Sequence, residues 1–435
     1  MNITRRKFIS NTAAAGAVLA AAPYIKGQSV TRYTVALIGC GWWGNNILRE
    51  AMAAGNSDVV ALCDVDEKLL NDTHAAVQKS TNANPRRFRD YRELFTKIRP
   101  QIVIVATPDH WHPLITIEAV KHGAHVYVEK PIGHTILEGR AMVNAARAAN
   151  RVVQVGTHRR VSPHNLSAHQ FLKQGKLGKV GMVRAFVHYP GGAGQYVPNS
   201  EPPKTLDWNM WCGPAPLNPF NSRIHPRGWR NHLDYANGTL GDWGIHWMDQ
   251  ILMWTEEKYP KRVFSTGGRH VKRDNTEAPD TQVASFEFES FTAVWEHRQY
   301  AGNRAEKTHE NQPVGCYFYG TEGTLHIGWL DGWTFYPSNR NAQIIHQDAQ
   351  LHEPDQQNIK ELWADFIKSI QTGQKPVSDI ETGHLSTNMA LLGMLSMKLG
   401  RSVHWDGAKE RIIDDPFANT LLKREYRRPF EYPKA

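Results

Sequence analysis

A glycine-rich turn and a following acidic residue are the first features of this sequence that could bind a ligand. The turn Gly39-Cys40-Gly41-Trp42-Trp43-Gly44 has the spacing G-x-G-x-x-G, and Asp64 follows Gly44 by twenty residues. In such a turn Gly39 permits a tight reversal, Gly41 lets the backbone approach a pyrophosphate, and Gly44 lets a helix pack closely on a strand. A carboxylate at this distance accepts ribose hydroxyls and repels a 2′-phosphate. The pattern predicts a dinucleotide site and favours NAD over NADP.

Asp242 and His246 form a second pair whose spacing could support chemistry. They lie four residues apart, so on a helix both side chains project from one face. His246 is suited to move a proton at neutral pH, because the ordinary pKa of histidine is near ~6.5. The same spacing also occurs in capped helices whose histidine is only a packed residue, so the pair needs further support from its surroundings.

Metal and disulfide chemistry receive little support. The chain has 4 Cys without a C-x-x-C pair, and four histidines near predicted strand ends lack a ligand spacing such as H-E-x-x-H: His110, His112, His158 and His188. We therefore predict no metal site. Cys40 and Cys63 end two neighbouring predicted strands, so a disulfide is conceivable, but two small buried thiols are the favoured interpretation.

The elements that must position these residues alternate between strand and helix. Short β-branched strands are predicted at 33–38, 58–63, 102–106, 125–128 and 152–156, with helices at 45–54, 113–121 and 135–149. This alternation predicts an α/β fold with a doubly wound parallel sheet, whose ligands lie at the carboxyl ends of the strands. Polar clusters at 107–112, 129–130 and 157–160 each follow a strand, so we expect them to converge on one crevice.

The second half of the chain has a different pattern. Strand-like segments at 179–189, 281–289, 291–298 and 316–319 predict a second sheet, and helices are predicted at 359–370 and 384–399. The segment 191–226 is rich in Gly, Pro, Asn and Trp and predicts a long loop, and loops of that length are usually functional. The final segment, 412–432, is polar and aromatic and is expected to wrap back over the fold.

Five motifs together resemble the Gfo/Idh/MocA oxidoreductases: the turn 39–44, Ala106-Thr107-Pro108 with His112, Glu129-Lys130-Pro131, the run 241–249, and the run 320–325. The resemblance implies an N-terminal Rossmann domain and a C-terminal α/β domain with a large open, mainly antiparallel sheet. Because that sheet often forms the oligomer contact in relatives, it also implies a homodimer or homotetramer. The organisation we predict is an export signal and leader at 1–30, an NAD-binding domain at 31–157, a substrate and oligomerisation domain at 158–345, and C-terminal helices and a tail packing on the fold at 346–435.

The resemblance also implies the roles of site residues. Lys130, Asp242 and His246 match catalytic positions: Lys130 would polarise the substrate oxygen, Asp242 would orient His246 or bind a sugar hydroxyl, and both Lys130 and His246 stay candidates for the base. The residues expected to bind the cofactor are Gly39, Gly41, Trp42, Trp43, Gly44, Asp64, Thr107, Pro108, His112, Glu129, Lys130 and Gln154.

A sugar or glycoside is the expected substrate. Six tryptophans lie in or beside the motifs, and aromatic faces suit the apolar face of a pyranose: Trp42, Trp43, Trp111, Trp229, Trp243 and Trp247. The candidates for substrate contacts are His158, Arg159, Arg160, Tyr189, Trp229, Arg230, Tyr235 and Trp243. A row of tryptophans is more often plain core, so composition alone does not establish this point.

Composition bounds the class of protein. The chain has 435 residues, of which 41% are hydrophobic and 21% charged, as in ordinary globular proteins of two domains. The formal net charge of +9 comes from Lys and Arg scattered among acids, so no nucleic-acid surface is predicted. No apolar run reaches the ~18–20 residues of a membrane span, so the mature chain is expected to lack a transmembrane segment.

The first residues resemble a twin-arginine export signal. Thr4-Arg5-Arg6-Lys7-Phe8-Ile9 precedes an alanine-rich stretch, 12–22, and Pro23. We therefore expect a periplasmic or otherwise exported protein; a cytoplasmic protein with a basic N-terminus and an uncleaved, tethered form are the alternatives. An exported enzyme leaves the cytoplasmic NAD pool, so its NAD would be loaded before export and regenerated on the enzyme.

Three functional hypotheses follow. The first is an exported NAD-dependent oxidoreductase that acts on a ring hydroxyl of a sugar or glycoside. The second is a redox-neutral NAD-dependent glycoside hydrolase, which oxidises, eliminates, adds water and reduces. The third is a non-catalytic sugar sensor that retains the fold. The Lys130 motif favours the first.

Overall fold

The N-terminal part of the chain builds one parallel sheet. A computed structural model describes residues 31–302 and 313–434, so the signal predicted at 1–30 lies outside the described residues. The sheet has the order β3-β2-β1-β4-β5-β6, the Rossmann order, and every pair of neighbours is parallel. Its strands are β1 Tyr33–Ile38, β2 Ser57–Cys63, β3 Arg86–Phe88, β4 Ile102–Val105, β5 His125–Val128 and β6 Val153–Val155. The doubly wound sheet is confirmed; β3, a short edge strand with two arginines, was not predicted.

Helices cover both faces of this sheet, which is why its strands are almost continuously apolar. They are α1 Trp42–Ala53, α2 Glu67–Thr81, α3 Tyr91–Lys97, α4 His112–Lys121 and α5 Ile136–Ala148. Side chains define two of the starts: Asp66 accepts the N–H of Lys68 at α2, and Glu138 accepts the N–H of Thr135 at α5. The first turn of α1 has no such cap.

The C-terminal part builds a larger sheet, with the order β14-β13-β12-β11-β7-β10-β9-β8-β15-β16 in the described ranges. All of its neighbouring pairs are antiparallel except β7 with β10, so the mainly antiparallel sheet is confirmed. The strands are β7 Val180–His188, β8 Arg262–Gly268, β9 Thr281–Glu287, β10 Thr292–Arg298, β11 Val314–Gly320, β12 Gly323–Gly328, β13 Trp333–Pro337, β14 Ile345–Gln347, β15 Val403–Asp406 and β16 Arg411–Ile412.

The remaining helices divide between the two sheets. They are α6 Pro163–Lys173, α7 Trp208–Cys212, α8 Ile245–Thr255, α9 Ile359–Thr372, α10 Ile380–Leu399 and α11 Pro416–Thr420. The helices α8 and α10 share a buried core with the second sheet, as Trp247 and Leu392 do with Trp295. The apolar stripe of α9 instead packs on the Rossmann sheet, where Trp363 lies 6.2 Å from Tyr127 between ring centroids.

The structure refines the predicted organisation of the C-terminal part. Residues beyond 345 supply helices and a tail, but also β15 and β16 of the second sheet. The loop predicted at 191–226 contains the short helix α7. The tail does return over the fold: the hydroxyls of Tyr432 and Thr135 are 2.7 Å apart, and Arg427 donates to Asn209.

The structure also shows the state of the two strand-end cysteines and the length of the apolar helices. Cys40 and Cys63 are free buried thiols, and burial raises the pKa of both. Within the part of the chain that the structure covers, no helix is both long and apolar enough to cross a bilayer.

Candidate active site

A cavity of about 420 Å³ lies where the carboxyl ends of the parallel strands face the second part of the chain. Residues that follow β1, β2, β4 and β5 line one side of it, and residues of 210–246 line another. The predicted convergence holds, because members of all three polar clusters line this one cavity, among them Thr107, Lys130 and His158.

The glycine turn leaves room for an anion at the start of α1. Gly39 has φ +99°, and a Cβ there would lie 2.5 Å from the carbonyl oxygen of Ala106. A Cβ on Gly44 would lie 2.1 Å from the carbonyl oxygen of Gly39, so Gly44 serves packing and does not line the cavity. A Cβ on Gly41 would meet nothing within 4 Å. Because the first turn of α1 is uncapped, its N–H groups are available to a phosphate.

Asp64 is held at the end of β2 by backbone donors. One carboxylate oxygen accepts the N–H of Cys40 at 2.7 Å, and the other accepts the N–H of Asp66 at 2.8 Å. Burial raises the pKa of Asp64, while these two hydrogen bonds oppose the shift. Arg89 also lines this end, since β3 runs beside β2 and Asp64 N–H donates to the carbonyl of Phe88 at 3.1 Å.

The centre of the cavity holds an ion-paired lysine. Lys130 Nζ donates to Asp242 Oδ1 at 2.8 Å and to the Asp242 carbonyl at 2.9 Å, and Arg230 Nε donates to the same Oδ1 at 3.1 Å. Burial alone would raise the pKa of Asp242, but the charges and hydrogen bonds of Lys130 and Arg230 hold it below its ordinary value. Asp242 is therefore a carboxylate that orients an ammonium and a guanidinium.

The helical geometry of Asp242 and His246 differs from the prediction. Asp242 lies in a π-helical turn, Leu240–Gly244, and His246 lies in the first turn of α8. The wider turn presents both the Asp242 carbonyl and its carboxylate to Lys130. The structure shows no hydrogen bond between Asp242 and His246 among the described residues, so Asp242 orients Lys130 and not His246.

His246 is almost completely buried among aromatic rings. It is 7% exposed and its Nδ1 has no hydrogen-bond partner in the described ranges. Its ring centroid lies 5.4 Å from that of His158 and 4.9 Å from that of Trp329. Burial, and then the charge of Lys130, lower its pKa well below the ordinary value. His246 is therefore a neutral imidazole.

Two more polar residues of the first domain, Glu129 and His112, line the cavity. Burial raises the pKa of Glu129 to about 7 against the opposing charge of Lys130. His112 lies 2.8 Å from both the Pro131 and the Thr107 carbonyl oxygens, so it ties together the loops that follow β4 and β5. Burial lowers its pKa to about 4.

The structure brings most of the predicted residues to the cavity wall and leaves others away from it. Those that line it are Gly39, Gly41, Trp42, Trp43, Asp64, Thr107, Pro108, His112, Glu129, Lys130, His158, Trp229, Arg230, Asp242, Trp243 and His246. Those that do not are Gly44, Gln154, Arg159, Arg160, Tyr189 and Tyr235.

Most of the residues away from the wall have a packing reason. Gln154 is fully buried and donates to the Leu362 carbonyl, so the cofactor contact predicted for it is not supported. Arg160 Nε donates to Asp249. Tyr189 lies behind Trp243, with centroids 5.8 Å apart.

Tyr235 has the same kind of explanation. It belongs to a separate aromatic cluster with Trp208 and Trp211, and its hydroxyl lies 3.4 Å from Cys212 Sγ. A substrate contact for Tyr235 is therefore not supported.

Sequence reasoning missed several lining residues, among them Asp109, Trp211, His225, Arg227 and Trp329. Asp109 lies inside the polar cluster predicted at 107–112, in which only Thr107, Pro108 and His112 match a motif. Trp329 follows β12 in a turn to β13, where no motif marked it. For Trp211 and His225 the only signal was the composition of the loop predicted at 191–226, and Arg227 lies one residue beyond that loop.

Family models cover nearly all of the described chain. Residues 33–157 match the oxidoreductase family model for an NAD-binding Rossmann fold, 166–326 match the GFO/IDH/MocA C-terminal domain, and 320–432 match the oxidoreductase family C-terminal alpha/beta domain. The chain belongs to the GFO/IDH/MocA oxidoreductase family. Its NAD-binding Rossmann domain is thereby confirmed.

Curated GFO/IDH/MocA relatives match over part of their length. The chain is 27% identical over 152 residues to the D-glucoside 3-dehydrogenase of Escherichia coli K12, covering 35% of this chain and 42% of that protein. It is 29% identical over 161 residues to the levoglucosan dehydrogenase of Pseudarthrobacter phenanthrenivorans, covering 37% and 34%. It is 24% identical over 157 residues to a glycosyl hydrolase family 109 protein of Akkermansia muciniphila, covering 35% and 33%. The matched segments thus span about a third to two fifths of these relatives.

Solved structures share the fold over most of their length. The aldose-aldose oxidoreductase of Caulobacter crescentus has a TM-score of 0.65 at 18% identity, covering 86% of this chain and 99% of that one. The WlbA dehydrogenase of Bordetella pertussis, solved with NADH and UDP-GlcNAcA, has a TM-score of 0.62 at 20% identity, covering 86% and 98%. These likenesses concern the GFO/IDH/MocA architecture alone.

Proposed function

We propose that this protein oxidises a ring hydroxyl of a sugar or glycoside with NAD that it retains between turnovers. The observation that carries the proposal is the pairing of Lys130 with Asp242 beside His246, in a cavity that also contains the glycine turn of an NAD-binding domain. The dehydrogenase names of two partial relatives support the sugar class.

The fit of this chain to NAD rests on features of the cavity. Space lies over Gly41, the N–H groups at the start of α1 are uncapped, and Asp64 lies at the end of β2. These residues suit a pyrophosphate and a ribose diol respectively. NAD, when bound, supplies the hydride acceptor that no amino-acid side chain can provide.

The side chains then have separate tasks. The Lys130 ammonium, held by Asp242, donates to the substrate oxygen and lowers the pKa of the hydroxyl. Neutral His246 lines the cavity and is one candidate to accept the hydroxyl proton. In the alternative, Lys130 in its neutral amine form accepts that proton and does not act as the polarising ammonium. The aromatic wall formed by Trp243 and Trp329, with centroids 5.0 Å apart, excludes water and suits a sugar ring.

Cofactor retention is supported by a segment that we term the strap, residues 205–230. Its start pairs with the loop after β2: Glu67 N–H donates to Thr205 at 2.9 Å, and Asp207 N–H donates to Val65 at 3.0 Å. Its end returns to the same loop, where His225 Nε2 lies 3.0 Å from Asp66 Oδ2. Arg227 then stacks 5.7 Å from the ring centroid of Trp42, next to the glycine turn. The strap therefore walls the dinucleotide side of the cavity.

The test begins with protein purified without added NAD. We expect stoichiometric NAD in the denatured supernatant, and up to one equivalent of reduced cofactor per site when a sugar panel is added. His225→Ala should lose NAD faster on dialysis, whereas His232→Ala, which removes a histidine paired with Glu277 outside the cavity wall, should not. A folded protein that neither carries nor binds NAD would contradict the proposal. The proposal would also be contradicted by a protein that binds NAD but forms no reduced cofactor with any sugar or glycoside of the panel.

The redox-neutral glycosidase is the less favoured function. It would release an aglycone from chromogenic glycosides without net cofactor reduction, so the same preparations distinguish the two. The Lys130–Asp242 pair supports plain alcohol oxidation, because an ammonium polarises the carbinol oxygen while a base takes the hydroxyl proton and NAD takes the hydride.

Export is proposed on the twin-arginine pattern Arg5-Arg6 alone. The full chain should appear in the periplasmic fraction of a bacterial host, and Arg5→Lys with Arg6→Lys should leave it in the cytoplasm. An unchanged distribution would contradict twin-arginine export.

A further inference from the structure

Arg159 is a buried guanidinium without an acceptor. It is 3% exposed, and Nε, Nη1 and Nη2 all lack a hydrogen-bond partner in the part of the chain that the structure covers. Burial lowers its pKa to about 9, and no neighbouring carboxylate opposes that shift. A buried charge left unpaired is strongly unfavourable, and a bound anion would remove the penalty.

Two less buried arginines, one beside Arg159 in sequence and one in the cavity wall, are paired. The next residue, Arg160, donates from Nε to both oxygens of Asp249, at 2.9 and 2.8 Å. In the same cavity Arg230 donates to Asp242 at 3.1 Å. Arg159 differs from both in that all three of its side-chain nitrogens lack an acceptor among the described residues.

Trp329 separates Arg159 from the cavity. The Arg159 Cζ lies 4.0 Å from the centroid of the Trp329 ring, and Trp329 itself lines the cavity. Trp329 is only half-buried and lies in the turn between β12 and β13. A rotation of this one side chain is the smallest change that would open the guanidinium to a ligand.

The polar groups next to Trp329 are two histidines, and neither carries a negative charge. The rings of His158 and His246 lie 5.7 and 4.9 Å from that of Trp329, and Nδ1 of each lacks a partner among the described residues. The charged groups that act on His158 and His246 are Lys130 and Arg159, and the Asp242 carboxylate is already engaged by Lys130 and Arg230. At this end of the cavity the protein therefore provides no negative charge for Arg159, and an anionic ligand would provide one.

We propose that Arg159 recognises an anionic group, a carboxylate or a phosphate, carried by the sugar substrate, and that Trp329 turns aside to admit it. A guanidinium matches both groups because its planar fork donates two parallel hydrogen bonds. This inference rests on the proposed sugar oxidation and narrows its substrate to acidic sugars.

The test measures binding, so that it does not depend on turnover. Calorimetry on the NAD-loaded protein compares D-glucuronate, D-glucose 6-phosphate and D-glucose, and the same three compounds in the galacto series. We expect one acidic sugar to bind roughly 10- to 100-fold more tightly than its neutral counterpart. The carboxylate and phosphate arms identify the source of the charge.

Variants then assign the preference to Arg159. Arg159→Met should lose the preference while neutral-sugar binding changes less than about twofold, and Arg159→Lys should restore part of it. Arg262→Met, at an exposed arginine on β8 that pairs with Glu287, is the matched control and should bind as wild type does. If Trp329 moves, acidic-sugar binding should change the intrinsic tryptophan fluorescence of the protein. Trp329→Phe should abolish that change. NAD content and melting temperature confirm that each variant is folded.

The measurements distinguish failure of the anion site from failure of the proposed sugar oxidation. Equal binding of neutral and acidic sugars, with turnover of the neutral one, overturns the anion site and leaves the proposed function in place. Equal loss of both sugars in Arg159→Met shows a structural role and also overturns it. The absence of binding by any sugar overturns both proposals.

Discussion

Lys130 and Asp242 meet at 2.8 Å, although 112 positions separate them and they belong to different parts of the fold. Lys130 follows a strand of the parallel sheet, and Asp242 comes from the π-helical turn that precedes α8. This contact joins the NAD-binding domain to the turn that leads into the helix of His246.

Removing either partner should test this contact. Lys130→Met should lower kcat by roughly 10²- to 10⁴-fold, the usual contribution of a proton-transferring or polarising group. Asp242→Asn should lower it less, and the double variant should be no worse than Lys130→Met, because both act through one ammonium. Steady-state kinetics with the best sugar measures all three. Additive losses would show that the two residues act independently. The pH profiles of Lys130→Met and His246→Ala separate the two candidates for the base.

The glycine turn offers a matched pair of substitutions. Gly41→Val should weaken NAD binding by at least roughly tenfold with little change in melting temperature, because its side chain would enter space that only a ligand needs. Gly44→Ala should instead lower the melting temperature, since its Cβ would lie 2.1 Å from the Gly39 carbonyl oxygen. Calorimetric titration with NAD and thermal melts measure both. A destabilised Gly41→Val with normal NAD affinity would contradict the assignment.

Coenzyme preference should depend on Asp64 and Arg89. Asp64→Ser removes the charge that repels a 2′-phosphate and leaves Arg89 at the same end of the cavity. We expect the ratio of NADP to NAD affinity to rise at least roughly tenfold, and Asp64→Ser with Arg89→Ala to lose that gain. Competition binding on cofactor-stripped protein gives the ratio. An unchanged ratio in Asp64→Ser would mean that the ribose diol lies elsewhere.

Glu129 should make the cofactor-free protein less stable as the pH rises. Its pKa is raised by burial to about 7 from an ordinary value of 4.5, so between those values the folded state binds more protons than the unfolded state. Stability therefore falls as pH rises from about 4.5 to about 7, by up to roughly 3 kcal/mol at full ionisation. Glu129→Gln should be flatter over this range in urea unfolding. A wild type whose stability rises across the window relative to Glu129→Gln would contradict the shift.

The outer face of the second sheet should form the oligomer contact. Met182, Phe264 and Val283 lie on one face of the sheet, on β7, β8 and β9, and are 39%, 42% and 44% exposed. We expect light scattering to give a dimer or tetramer, and Val283→Asp to reduce the mass without loss of NAD. A monomeric wild type would contradict this contact.

The sequence by itself determined the Rossmann domain and its cofactor class. The strand at 33–38, the turn at 39–44 and Asp64 are contiguous enough that local geometry requires no knowledge of the rest of the chain. The same is true of Lys130, because the end of a parallel strand places it in the crevice wherever the other domain lies.

Only the tertiary structure decided which distant side chains share that crevice. Arg159 and Arg160 are neighbours in sequence, yet one packs unpaired behind Trp329 and the other pairs with Asp249. Gln154 follows the pattern of a strand-end residue, but α9 covers its side of the sheet and accepts its hydrogen bond. Packing between elements far apart in the chain selects these partners, and no local periodicity encodes it. That is why the strap, Trp329 and the π-helical turn at Asp242 could be found only in the folded molecule.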